Sequence, residues 1–273
     1  MLKQRIITAA VLLPLVLLAL FVQSVWLWRI AVTAFVAIAW WEWVRLSQAN
    51  RKTSYILLAS IVLAALMVIF ASSGYLLGFI VFSILLWLAA IVFCYTLPEK
   101  MNQLVLPQIK LLFGSWVLAF TWWALIWLRE QEQGSYWVLG FLMIIWLADT
   151  GAYFAGKGFG KHKLAPSISP GKTIEGLLGG IACVVLYTLV ILTVFIDFID
   201  VSHVVLIVMS IIIAVVSVGG DLFESWLKRH ARVKDSSQIL PGHGGVLDRI
   251  DSLIAALPFM VWTYSYMTGM FAS

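Results

Sequence analysis

Asp248 and Asp251 stand three residues apart behind the stretch Pro241-Gly242-His243-Gly244-Gly245, in a chain that is otherwise largely apolar. If a helix starts near Val246, both carboxylates point the same way with Arg249 beside them, which suits oxygen ligation of a hard cation. Gly242, Gly244 and Gly245 let the backbone approach a ligand closely, and their N–H groups can cradle phosphate oxygens. A plainer reading competes, because either Asp would also serve as a helix N-cap. His243 is open to two readings as well, as a phosphate donor or as a simple loop residue. Upstream, Asp221, Glu224, Ser225 and Lys228 follow at helical spacing and share one face if the apolar helix before them continues. Asp221 falls where that apolar run ends, and an ionised carboxylate there is costly without a cation, so it is a candidate metal ligand. Glu224 reads instead as a solvated residue paired with Lys228. No Cys accompanies these carboxylates, so magnesium or a similar hard cation is expected in place of zinc, with room for a second cation.

A second polar stretch, GKGFGKHKLAPSISPGKTIEGLLGG, begins at Gly156. Its GKT matches the end of a P-loop, but the first Gly of that motif would fall at Pro166 and no strand is expected before it, which excludes a nucleotide P-loop. What remains is Lys172 with Ser169 and Thr173, able to meet phosphates as a point charge and two hydroxyl donors. Lys157, Lys161 and Lys163 fit that role and fit a topology signal equally well. Asp149, in WLADTGAYFAGK, lies inside an apolar span near its cytoplasmic end, where an ionisable residue is a functional candidate. Glu42 in WWEWVR has the same status, but Arg45 one turn on is placed to neutralise it, and the tryptophans around it read as an interfacial belt.

These groups need elements to hold them, and the composition says what kind. Only 11% of residues are charged, 63% are hydrophobic, and the mean hydropathy is +1.01. That excludes a water-soluble domain built on one core. A helix needs about 20 apolar residues to cross about 30 Å of hydrocarbon. Runs of that order fall at 6–22, 25–46, 54–72, 75–96, 110–128, 136–154, 177–195, 201–219 and 253–271, with short breaks at VQS and ASSG. The expectation is an all-α polytopic membrane protein of about nine transmembrane helices, a single integral domain over 1–273. Helices 6–128 form a membrane scaffold and 136–271 a motif-bearing catalytic half, with long polar cytoplasmic loops at 155–176 and 220–252. With the amino terminus inside, sixteen of the eighteen Lys and Arg residues face the cytoplasm and only Arg29 and Arg129 lie outside, as the positive-inside rule requires. Cleavage of the first segment after Ser24 as a secretory signal would leave that topology unexplained. Cys94 and Cys183 have no paired spacing and read as buried core residues, not as a disulfide or a zinc site.

From Ser225 to Asp251 the chain reads S-x-L-K-R-x4-K-D-x-S-x2-L-P-x-H-G-G-V-x-D-R-I-D. This resembles, at every specified position, the signature of the phosphatidate cytidylyltransferases, or CDP-diacylglycerol synthases. The block from Asp149 to Gly176 is similar to that family's second polar region, with one departure: Gly171 stands where the family usually has Lys, which leaves Lys172 as the matching base. The resemblance implies transfer of a cytidylyl group from CTP to phosphatidate, giving CDP-diacylglycerol and pyrophosphate in phospholipid biosynthesis. On that reading Asp221 and Asp248 hold magnesium, supported by Asp251 or Asp149. Lys172, Lys228, Arg229, Lys234 and Arg249 neutralise phosphates, Ser169, Thr173 and His243 add contacts, and Gly244 and Gly245 supply backbone donors. The expected partners are CTP, phosphatidate and the bilayer, with no nucleic acid and with a homodimer compatible. The short amino terminus fits a bacterial inner-membrane enzyme with its active site on the cytoplasmic side. Two alternatives differ in class. A CTP-dependent polyprenol or lipid kinase would release CDP in place of pyrophosphate. A membrane ion transporter would use Asp149 and Glu42 as its path, yet the outer half of the helices offers almost no charged residue to continue one.

Overall fold

The computed structural model describes residues 2–49, 73–96, 105–194 and 202–271. Apolar runs become helices because lipid offers backbone N–H and C=O groups no partners, so each segment must satisfy them internally. Among the described residues there are eight helices: α1 (Leu2–Phe21), α2 (Val25–Ser47), α3 (Ser73–Thr96), α4 (Pro107–Glu130), α5 (Gly134–Phe159), α6 (Ile174–Val194), α7 (His203–His230) and α8 (Leu247–Met267). The expected span at 54–72 lies outside the described residues, as do Arg51, Lys52 and Lys100. The VQS break is a true interruption, where the Ser24 hydroxyl accepts from Leu27 N at 3.3 Å and starts α2. Six helices, α2 to α7, are long and apolar enough to cross a membrane, and the chain is an integral membrane protein.

The polar loops are shorter than hydropathy suggests. At 28 residues α7 is about 42 Å long, more than the hydrocarbon layer needs, so its last turns carry Asp221 to His230 out of the apolar run as helix. In the first loop α5 persists to Phe159 and is followed by an antiparallel hairpin, β1 (Lys163–Ala165) and β2 (Ser169–Thr173), with Lys163 opposite Thr173. This is a small departure from an all-α chain. Glu175 ties the hairpin to the first turn of α6. Its carboxylate accepts from Lys161 N at 3.1 Å and His162 N at 3.2 Å, and pairs with His162 Nδ1 at 2.6 Å.

Helix α8 sits at the centre of the bundle and packs against α2, α3, α4, α5 and α7. Nearly every residue from Leu247 to Ser265 is buried. Trp43 is fully buried, stacking on Phe113 at 6.0 Å and Phe223 at 6.2 Å, with its Nε1 donating to Lys110 O at 2.9 Å. The expected interfacial belt around Glu42 is therefore corrected: Trp43 joins α2, α4 and α7 in the core, and only Trp41 faces outward, with Arg45 over its ring at 4.7 Å. Of the two free cysteines, Cys94 is buried and Cys183 half-buried.

Candidate active site

Helices α7 and α8 meet at Gly220, where a Cβ would lie 2.4 Å from Asp251 O and 2.6 Å from Ala255 Cβ. The missing side chain lets the two backbones touch. It also brings Asp221, the next residue on α7, beside Asp251 on α8. From β2, Lys172 reaches across to this point, its Nζ 2.7 Å from Asp221 Oδ2 and donating to Val218 O at 3.2 Å. Ser225 Oγ donates to Asp221 Oδ1 at 3.3 Å. Two turns further along α7, Lys228 Nζ is held between Glu224 and Asp248, 2.6 Å from Asp248 Oδ1.

These groups form one electrostatic cluster. Asp149 on α5 feels the charges of Asp221, Lys172 and Arg249. Asp251 feels Asp221, Lys228 and Lys172, and Glu224 feels Asp251, Asp248 and Lys228. Five carboxylates, Asp149, Asp221, Glu224, Asp248 and Asp251, thus face three cations, Lys172, Lys228 and Arg249. Carboxylates outnumber cations there, and in a region of reduced dielectric an acid without a cation is costly to ionise, so the excess favours a bound proton or a bound cation.

The connection from α7 to α8 is folded around two buried carboxylates. Asp248 Oδ2 accepts from Gly245 N at 2.7 Å and from Ser236 N and Oγ, both at 2.9 Å. Glu42 accepts from Ser237 Oγ at 2.5 Å, Leu247 N at 2.6 Å and Val246 N at 3.0 Å, and its Oε2, 3.1 Å from Ser236 Oγ, shares that hydroxyl's single proton with Asp248. Gly245 is required there, since a Cβ would lie 2.1 Å from Ser236 Oγ and 2.3 Å from Glu42 Oε1. Gly244 has φ +81°, a conformation that favours glycine.

Of the sequence-predicted residues, Asp149, Lys172, Asp221, Lys228, Asp248, Arg249 and Asp251 come together in the cluster, Arg249 and Asp149 on its exposed side. Thr173 is buried with its hydroxyl accepting from Gly176 N at 3.1 Å, which caps α6. Ser169 is half-buried at the start of β2 and Arg229 is exposed. Lys234 lines a cavity of about 590 Å³ together with Arg45, Gln48, Ser236 and Ser237. His243 has an enclosed Nδ1 without a hydrogen-bond partner among the described residues. Glu224 is corrected: it is fully buried, not solvated, because α7 packs that face inward against the Asp248 end of α8. Glu42 is corrected too. Arg45 turns away onto Trp41, and the carboxylate is satisfied by residues more than 190 positions on in the chain. The one signal that pointed to Glu42 was an acid inside an apolar run.

A bundle that gathers the bases and carboxylates of both polar blocks at one place defines a class, a polytopic membrane protein with a charged site where its helices end. The sequence profile of the cytidylyltransferase family matches residues 3–267. The chain is 39% identical over 259 residues to a phosphatidate cytidylyltransferase of Pseudomonas aeruginosa, covering 94% of this chain and 95% of that one. It is 34% identical over 291 residues to a phosphatidate cytidylyltransferase of Haemophilus influenzae, covering 98% and 100%. A protein of the same name from Staphylococcus saprophyticus is 46% identical over 132 residues, 48% of this chain and 50% of its own. The chain belongs to the cytidylyltransferase family and is a nucleotidyltransferase.

Proposed function

We propose that this enzyme transfers the cytidylyl group of CTP to phosphatidate at the cytoplasmic face of a bacterial inner membrane, forming CDP-diacylglycerol and pyrophosphate. The observation that carries the reading is the cluster itself. Four separate elements, α5, β2, α7 and α8, bring the charged residues of both polar blocks to one place in a chain related over its whole length to enzymes of that name. One substrate is a lipid and the other a soluble polyanion, so the reaction needs charged residues where membrane helices end.

A phosphate oxygen of phosphatidate attacks the α-phosphorus of CTP in line, and the bond to the bridging oxygen breaks to release pyrophosphate. That nucleophile is already anionic at neutral pH, so positioning and charge neutralisation carry the catalysis and no strong base is needed. Lys172 and Arg249, beside the carboxylates, and exposed Arg229 and Lys234 supply positive charge for the phosphates, while Lys228 fixes the direction of Asp248.

The excess of acidic over basic side chains fits magnesium, and hard oxygen donors are its chemistry. Among the described residues no three acids, histidines or cysteines converge on one point, so substrate phosphates would complete the shell. Asp221 and the free lone pair of Asp248 Oδ1 would hold the ion, with Asp251 and Asp149 in support. When bound, magnesium supplies charge neutralisation to the transferred phosphoryl group.

The test is incubation of the detergent-solubilised protein with magnesium, CTP and phosphatidate, following pyrophosphate and labelled CDP-lipid. Equimolar products that disappear with EDTA and return with excess magnesium are expected. Release of CDP with phosphorylation of a lipid alcohol would refute the transferase and establish a kinase.

A further inference from the structure

Glu42 lies on α2, outside both polar blocks, and is completely buried. Among the described residues no Lys or Arg pairs with it. A buried carboxylate without a cation persists only if donors satisfy it. Here Oε1 accepts from Ser237 Oγ at 2.5 Å and Val246 N at 3.0 Å, and Oε2 accepts from Leu247 N at 2.6 Å and shares the Ser236 hydroxyl, 3.1 Å away, with Asp248. Two of these donors are N–H groups at the start of α8, where the helix dipole favours negative charge. Val246, the residue at the N-cap, has no side chain able to satisfy them. Glu42 is therefore the cap of α8, supplied from about two hundred residues away.

The same carboxylate is joined to the charged cluster through one hydroxyl. Ser236 Oγ stands 3.1 Å from Glu42 Oε2 and 2.9 Å from Asp248 Oδ2, and its backbone N donates to Asp248 Oδ2 at 2.9 Å. A displacement of residues 236 and 237 moves the donors of Asp248, and Asp248 holds Lys228 at 2.6 Å. Gly245, between the two carboxylates, leaves no slack for repacking: a Cβ there would lie 2.3 Å from Glu42 Oε1. We infer that Glu42 is a positioning residue for turnover, fixing residues 236–248 and the start of α8 so that Asp248 and Lys228 face the substrates. The inference rests on the transferase reading above. By occupying the first N–H groups of α8, Glu42 also keeps that helix end from serving as a phosphate site, which leaves phosphates to the basic side chains and the 242–245 loop.

Four variants, Glu42→Gln, Ser237→Ala, Ser236→Ala and the double Glu42→Gln/Ser236→Ala, test this, measured as kcat and KM for CTP per molecule in the folded size-exclusion peak. In Glu42→Gln the amide NH2 faces a backbone N–H in either orientation, and kcat is expected to fall by about 100-fold, while KM for CTP moves by less than about threefold. Ser237→Ala removes one donor to Glu42 and none to Asp248, and kcat is expected to fall by about fivefold. Trypsin should cut at exposed Arg232 and Lys234 faster in Glu42→Gln than in the parent. The double variant Glu42→Gln/Ser236→Ala should lose far less than the product of the single losses, because the two groups act as one unit. A purely structural Glu42 would lower the yield of folded protein and leave kcat per folded molecule at the parent value, which overturns the inference. If Glu42→Gln does not fold, Ser237→Ala decides, and a parental kcat in that variant overturns it. Absence of any turnover in the parent chain refutes the transferase reading itself, and the positioning role with it.

Discussion

Replacing Asp248 by Asn probes the cluster with the least disturbance of shape. The two carboxylate oxygens are unequal: Oδ2 accepts three hydrogen bonds, from Gly245 N and from Ser236 N and Oγ, whereas Oδ1 meets Lys228 alone at 2.6 Å. The amide oxygen will therefore turn toward the three donors, and the NH2 toward Lys228. The loop keeps its anchor, and Lys228 keeps Glu224 as a partner. What is lost is one charge-assisted hydrogen bond, about 1.5–3 kcal/mol, or roughly 10- to 150-fold if expressed wholly in the transition state. One negative charge also leaves the cluster, which weakens cation binding. Together these place the loss in kcat/KM at about 100-fold or more, with the magnesium dependence shifted to higher concentration and the protein still eluting as the folded parent. Pyrophosphate release and labelled CDP-lipid, measured across a magnesium titration, provide the assay. Turnover within fivefold of the parent at the same magnesium midpoint would show that Asp248 neither holds the cation nor orients Lys228 for the reaction.

Two other perturbations separate the site from its support. Gly220→Ala places a methyl 2.4 Å from Asp251 O and should cost about 1–3 kcal/mol through overpacking, along with turnover, since it parts Asp221 from Asp251; an unchanged unfolding midpoint in detergent would contradict the close α7–α8 contact. Arg29→Ala breaks an ion pair with Glu130 at 2.6 Å, but both side chains are partly exposed, at 39% and 27%, so after solvent screening the change should stay within about 1 kcal/mol, and turnover within twofold. A large loss of activity in that variant would mean that the end of the bundle opposite the cluster takes part in the reaction.

Hydropathy was enough to reveal the helical character of the described chain, and motif spacing pointed to the residues the structure gathers. Each apolar run is judged by a sum over its own residues, because transfer from water to lipid is paid segment by segment, and the observed α2, α4 and α5 lie within a few residues of the expected spans. Helical spacing put Asp221 on one face with Glu224, Ser225 and Lys228, and Asp248 on one face with Asp251; the packing of α7 on α8 then sets Lys228 against Asp248 and Asp221 near Asp251.

The tertiary structure alone decided which charges pair. Nothing local distinguishes Glu42 with Arg45 one turn away from Glu42 beneath Ser236, Ser237 and the start of α8, yet the latter is observed. The same holds for Glu224, whose exposure depends on which face of α7 the core takes up, and for the Lys163–Thr173 hairpin, anchored by Glu175. Burial of apolar surface is additive along the chain and can be read from it. The pairing of a buried polar group requires two distant groups to meet at hydrogen-bond distance, and only the packed chain determines whether they do.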